Sequence, residues 1–498
     1  MLNINQIEEL KKDNEMKAVF FSDEVELSWL DYYNLTSNHI KKLLEEDIVN
    51  EKTRRIIVIS ENNWRTFILY SVISSLGIPF SGIDYTQTDE IKLASIVNSE
   101  SNLVFYSETQ KISPPLEARI ENLGISSLCI DKIIELNTDS PINKVSSKIF
   151  NFKNGRQGDI ASFSFTSGTS GVPKVIYREK GFDNIRIPIL TKLYNFNSQD
   201  IFLASLPFYH VSVTGWMRLA LLNKGAIVIA NIENEKDLFN KLKLYNVTTT
   251  LFTPPTLKKI IEIINENHKQ SLGLRFVMVG GKNFPVTLKE EAISTLGSII
   301  HEYYGSSETG INTLISSDEY NENLLSSGKV MEGSKIAILG ENNEALDEGQ
   351  IGKVAIHSFQ NASGYIGNEL SRVTFREESY IITSDFGKLI NGYLYITQRS
   401  ILDFANKNVN VFEIENHLRL FQHVEDIAIL TENMNVYTFL TFSDSISLLK
   451  KNLLKVEFHK YLMEHLGMGY NIQIQDVDVL KYSLSGKVKY FQLENGEN

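Results

Sequence analysis

One cysteine in 498 residues, Cys129, excludes a disulfide framework, and no Cys/His spacing suited to zinc occurs. Its setting, SSLCI, is apolar, so it reads as a buried structural thiol and not a nucleophile. Long hydrophobic runs are missing too. The longest, Phe67 to Phe80, is interrupted by serines, Gly77 and Pro79, and falls short of the roughly 20 residues of a membrane span. The opening MLNINQIEELKKDNEMK lacks the apolar core of a secretory signal. A cytoplasmic protein with no membrane span is expected. Lys and Arg are scattered, with no basic stripe interleaved with aromatics, which argues against nucleic acid as a partner. The net charge of -12 does not exclude ATP, because a local loop and a metal ion set the field at a phosphate site. No GxxxxGK[ST] sequence, internal repeat or low-complexity tract is present.

Hydrophobic residues at 42% and charged residues at 22% supply ordinary globular cores. β-type runs alternate with helical stretches: RRIIVIS before a helical pattern from Asn63 to Leu76, then SNLVFYS, DIFLASLP, GAIVIAN, VTTTLF and LRFVMVGG. That alternation predicts parallel α/β layers. From about Val330 the pattern changes to short β-rich segments with turns. A smaller α+β unit follows, with helical FEIENHLRLFQ, strands EDIAIL and VYTFLTF, and a helix from about Ser445 to Leu466. The fold class expected is α/β: a large N-terminal domain of layered subdomains plus a β-rich subdomain, then a small C-terminal domain. The predicted boundaries are 1–397, a hinge at 398–403, and 404–498.

Four stretches carry possible chemistry. FTSGTSGVPK, Phe165 to Lys174, lies between a β-like run and a helical stretch. Its glycines let N–H groups turn towards an anion, its hydroxyls donate, and Lys174 adds charge; a mobile linker is an equal reading. In HEYYGSSETG, Glu308 is a hard oxygen ligand for magnesium, Ser307 can donate to a phosphate and Tyr304 offers a flat face; a loop leading into an acidic helix start is the plainer alternative. In ITSDFGKLINGYLYITQRS, Asp385 can accept from two ribose hydroxyls, and Arg399 lies beyond a turn at Asn391-Gly392. A surface salt bridge would use the same residues. In SLSGKVKY, Lys487 sits on a turn where lysines are usually just solvated.

Together and in this order, these segments resemble the adenylate-forming superfamily of acyl-CoA ligases, peptide-synthetase adenylation domains and luciferases, from about Phe20 to Leu493. The resemblance implies ATP and Mg2+, a small carboxylic acid, and an acyl-AMP passed to CoA or to the phosphopantetheine of an acyl carrier protein. By it, Thr166, Ser167, Gly168, Thr169, Ser170, Gly171 and Lys174 form the phosphate loop. Glu308 binds the metal, Ser307 meets the α-phosphate, Tyr304 stacks on adenine with Gly281 flanking it, and Gly305 is a further cofactor-binding residue. Asp385 and Arg399 hold the ribose, Lys487 is the mobile catalytic lysine, and His210 of LPFYH is a gate to the acid pocket. A packed histidine is the equal alternative for His210. HVSVTGW supplies no aspartate for an amino acid and no asparagine after His210, so an apolar, fatty or otherwise uncharged acid is expected.

The sequence also departs from that family. QRSILDFANKNVNVFEIE is shorter than the usual hinge loop and lacks its paired glycines. Val175 replaces a glycine after Lys174, Ser384 replaces one before Asp385, and Lys282 follows Gly281. A ligase with a non-thiol acceptor, and a degenerate homologue that binds nucleotide without turnover, therefore stay open beside the thiol ligase.

Overall fold

The structure is a computed structural model. It describes all residues except 13, 137–159, 167–172, 268–271, 282–283, 376, 400–410, 433–434, 444, 467–468 and 481–498. Two compact units divide the chain: Met1–Leu251 with Gln270–Val277 and Ala362–Leu370, and Phe252–Lys269 with Met278–Asn361 and Ser371–Asn498.

The first unit contains the expected parallel layers. Strands Phe80–Gly82, Ile56–Ile59, Leu103–Tyr106 and Ser126–Cys129 lie side by side in that order, all parallel. Ile56–Ile59 and Leu103–Tyr106 are buried at every residue, which is why they read as unbroken apolar runs and not as alternations. The helix Trp64–Leu76 is buried almost all round. The Asn63 side chain caps its start by accepting from Thr66 N at 2.8 Å, and Gly77 ends it at φ 66°. A second parallel set joins Ala18–Phe21, Ala226–Ile229, Ile201–Ala204 and Thr249–Phe252. Cys129 is buried as expected.

A third, antiparallel sheet pairs Ile160–Thr166 with Lys174–Glu179, and the latter with Gly364–Tyr365. Here the reading of FTSGTSGVPK needs correction. Lys174 opens a strand, KVIYRE, and the helix starts only at Phe182. The β-branched and aromatic Val175, Ile176 and Tyr177 favour the pleat.

The second unit is built on antiparallel pairing, which begins with the hairpin of Ile300–Ser306 and Gly310–Ser316. Lys329–Val330, Tyr393–Arg399, Glu378–Ile390, Gly352–Ser358 and Ser334–Leu339 extend it in that order. Farther along the chain, the helix Val411–Arg419, the hairpin Val424–Glu432/Asn435–Phe442, the helix Leu448–Leu466 and the strand Asn471–Asp476 surround a core of their own. Ile414, Leu418, Ile427, Val436, Leu440, Phe458 and Leu462 form its centre. The helix contributes Leu454, Phe458, Leu462 and Leu466, a four-residue repeat that places them on one face. Among the described residues, no helix is long and apolar enough to cross a membrane.

Candidate nucleotide and acid site

In the second unit, the YGSSE segment is the tip of a braced hairpin. Gly305 pairs with Ile311, and Ser306 with Gly310. A Cβ on Gly305 would come within 2.1 Å of Gly310 O, so the close approach of the two strands requires glycine. Gly310 itself has φ 69°. Thr309 N donates to Ser306 Oγ at 3.2 Å, and Asn312 Nδ2 donates to Thr309 O at 3.1 Å and to Gly310 O at 3.0 Å. These bonds hold Ser307 and Glu308, both half-buried, at the apex. The segment is a β-turn, not the acidic helix start that its sequence alone also allowed.

Asp385 belongs to the long strand Glu378–Ile390, and its backbone pairs directly with Arg399 across the hairpin. That hairpin turns at Asn391 and Gly392, whose φ angles of 52° and 78° are those of the tight turn expected there. Asp385 is buried, 8% exposed. Asp385 N donates to Thr383 Oγ1 at 3.1 Å, and that hydroxyl donates to Val354 O at 2.9 Å. Tyr304 OH donates to Asp385 Oδ2 at 2.6 Å, joining two of the motifs although 81 positions separate them. Tyr304 packs against the cluster of Ile338, Val354, Ile356, Leu394 and Ile396. On the neighbouring turn, a Cβ on Gly280 would lie 2.3 Å from the Tyr303 ring, and Gly281 has φ 86°. Small residues are therefore required where the VGG segment was expected to border adenine.

A buried ion pair that sequence reasoning missed supports this hairpin. Lys289 Nζ lies 2.6 Å from Glu302 Oε2 and donates to Leu324 O at 2.8 Å. Tyr320 OH donates to Glu302 at 3.4 Å. Burial raises the Glu302 carboxyl above its usual range, opposed by the Lys289 ammonium.

In the first unit, Thr166 ends its strand directly opposite Lys174. Lys174 is exposed, with Nζ 5.6 Å from the centre of the Tyr365 ring. Ser167, Gly168, Thr169, Ser170 and Gly171 lie outside the described residues, as do Lys282, Lys487 and most of the expected hinge. Asn62, another residue missed from sequence, clamps LPFYH. Its Nδ2 donates to Leu206 O at 2.8 Å and its Oδ1 accepts from Phe208 N at 2.7 Å. Phe208 is buried and Tyr209 makes an edge contact with Tyr85 at 5.8 Å. Burial, then the carboxylate of Asp84, pushes the Tyr209 phenol far above its usual range. His210 caps the helix Val211–Leu222, its Nδ1 accepting from Ser212 N at 3.4 Å.

Among the described residues, no group of three or more His, Cys, Asp or Glu could hold a metal by itself. A single carboxylate such as Glu308 suits a magnesium ion that arrives with a nucleotide and takes its other ligands from phosphate and water.

Residues 8–366 match the family model of AMP-binding enzymes. A 2-succinylbenzoate–CoA ligase from Oceanobacillus iheyensis is 23% identical over 465 residues, covering 91% of both chains. The amide bond synthetase McbA from Marinactinospora thermotolerans superposes with a TM-score of 0.81 at 15% identity, over 99% of each chain. The O-succinylbenzoate coenzyme A synthetase of Bacillus subtilis, in complex with ATP and magnesium ion, gives 0.80 at 17% identity over 98% of this chain and 99% of that one. The mixed α/β fold expected from sequence is that of these structures. Motifs, fold and family model agree, and the chain belongs to the AMP-binding enzyme family, the adenylate-forming enzymes its sequence resembles.

Proposed function

We propose that the chain is an AMP-forming ligase that joins a small carboxylic acid to a pantetheine thiol, that of CoA or of an acyl carrier protein. The observation that carries this reading is the Tyr304–Asp385 contact, which sets the glutamate-bearing turn beside the aspartate suited to ribose. In the first half-reaction a carboxylate oxygen of the acid bonds to the α-phosphorus of ATP. The bond from that phosphorus to the bridging oxygen breaks, and pyrophosphate leaves. In the second, the thiol gives up its proton to solvent, its sulfur attacks the acyl carbon, and the bond from that carbon to the phosphate oxygen breaks as AMP departs.

The first step gathers negative charge, so it needs fixed donors and cations more than an acid or base. Thr166, Lys174 and the loop between them would hold the outer phosphates, Ser307 the α-phosphate, and Asp385 with Arg399 the ribose. Tyr304, Gly281 and Gly305 would border the adenine. Magnesium, when bound, offsets phosphate charge beside Glu308. Lys487 would bridge the carboxylate and the α-phosphate, and His210 would stand at the entrance for the acid. We place the large domain at 1–397, the hinge at 398–403 and the mobile domain at 404–498. ATP and CoA are cytoplasmic compounds, and we assign the reaction to that compartment. No carboxylate follows His210 in HVSVTGW, which favours an acid with an apolar body over an amino acid.

Pyrophosphate–ATP exchange over a panel of acids tests the first step, and trapping the product on CoA or a holo carrier protein tests the second. Exchange with an acid followed by a thioester is the expected result; no exchange with any acid would leave only a nucleotide-binding homologue. The altered hinge loop and the likeness to an amide bond synthetase support a second reading, a ligase with an amine acceptor. Exchange without any thioester would favour it.

A further inference from the structure

We propose that the acid carries a second anionic group at the end remote from its reacting carboxylate, and that Arg186 binds that group. This inference rests on the ligase reading above. It begins at the helix Val211–Leu222, which His210 caps. Val211, Thr214, Gly215 and Arg218 are half-buried, whereas Val213, Trp216, Met217, Leu219 and Ala220 are buried. Ser212 is half-buried as well, and spacings of three and four residues put Val211, Thr214, Gly215 and Arg218 on one helical face. That face runs from the candidate gate histidine towards a pair of guanidinium groups.

Arg186, on the helix Phe182–Tyr194, fills the space that Gly215 leaves. Its Nη1 lies 3.2 Å from where a Cβ on Gly215 would stand. Gly215 is five residues beyond His210, about 8 Å along the axis. Arg186 Nε donates to Asp183 Oδ1 at 3.2 Å, and Nη2 lies 3.0 Å from the same oxygen. Arg218 Nε lies 3.0 Å from Asp183 Oδ2, and its Nη1 donates to Met1 O at 2.5 Å. Burial opposes ionisation of Asp183, but Arg186 and Arg218 hold its carboxyl below the usual range, so it carries one negative charge. Two guanidinium groups thus share one carboxylate, with each arginine side chain only 18% exposed.

An excess cation in so sheltered a place is costly unless an anion meets it. Arg186 Nη1 has no hydrogen-bond partner among the described residues, and a guanidinium presents its donors as a planar fork suited to a carboxylate. The apolar body expected of the acid is kept, since Val211 and Thr214 border the same face. Its far end changes, from uncharged to anionic.

The experiment compares α,ω-dicarboxylates of increasing length, and 2-succinylbenzoate, with their monomethyl esters in acid-dependent pyrophosphate–ATP exchange. For the wild type, kcat/KM should favour the diacid of fitting length by about tenfold or more, the scale of a charge-assisted bidentate contact. Arg186→Gln should remove that preference by lowering diacid use, while the KM for ATP and the use of the ester stay unchanged. Arg186→Lys should keep part of the preference. Gly215→Val, which fills the guanidinium's space without removing its charge, should also lower diacid use selectively. Equal use of diacid and ester by the wild type overturns the proposal. So does an equal loss for both in Arg186→Gln with a fall in Tm, which would make the arginine a brace between helices. Exchange with no acid at all sinks the ligase reading itself and this inference with it.

Discussion

The hydroxyl of Tyr304 separates two duties that the aromatic ring of its motif would otherwise hide. The ring gives a flat face; the hydroxyl fixes the Asp385 carboxylate through a 2.6 Å bond. Tyr304→Phe keeps the first and removes the second. The KM for ATP should rise about three- to tenfold, the size of one hydrogen bond, with kcat little changed. Steady-state exchange kinetics at varied ATP give that split directly. A second residue, His39, sets a pH dependence of stability. Its Nδ1 meets Leu35 O at 2.7 Å and its Nε2 accepts from Glu135 N at 3.0 Å, so the ring is held neutral. Burial lowers its pKa from the ordinary 6.5. Below that value the unfolded chain takes up a proton that the folded one resists. The stabilisation is complete above about pH 6.5 and declines as pH falls beneath it. Urea unfolding at several pH values should show this slope for the wild type and a shallower one for His39→Gln.

Hairpins carry the described part of the proposed nucleotide site, and their legibility from sequence was uneven. Asn391-Gly392 announced its turn because those residues adopt positive φ at little cost. The strands Ile56–Ile59 and Leu103–Tyr106 and the helix Trp64–Leu76 were equally plain, since near-complete burial writes an unbroken apolar run. Lys174 was misplaced because the residue types Gly171 to Pro173 before it say nothing of the pleat that follows. The Asn62 clamp on LPFYH could not be read at all, as its partners stand 144 and 146 positions away. Lys289 and Glu302 look like ordinary solvated charges until the chain is folded. The tip of the YGSSE hairpin is the element most sensitive to size. Gly305→Ala should lower stability by more than the ~1 kcal/mol of a simple glycine effect, because backbone atoms are in the way. A thermal melt and an ATP titration on the same sample would detect both losses.

At the level of the whole chain, the ligase proposal calls for one nucleotide per chain. Lys487 of the proposed mobile domain should act in one half-reaction only. Lys487→Ala should cut acid adenylation by roughly 100-fold or more, the effect of losing a transition-state donor, while transfer from preformed acyl-AMP to the thiol persists. Equal loss in both steps would refute that division. The most direct measurement of the central claim is calorimetric titration of Mg·ATP into the wild type, Lys174→Ala and Asp385→Ala. One ATP per chain, with affinity weakened about tenfold or more in each variant, is the expected result. Unchanged affinity in either variant, or two independent nucleotide sites, would contradict the account.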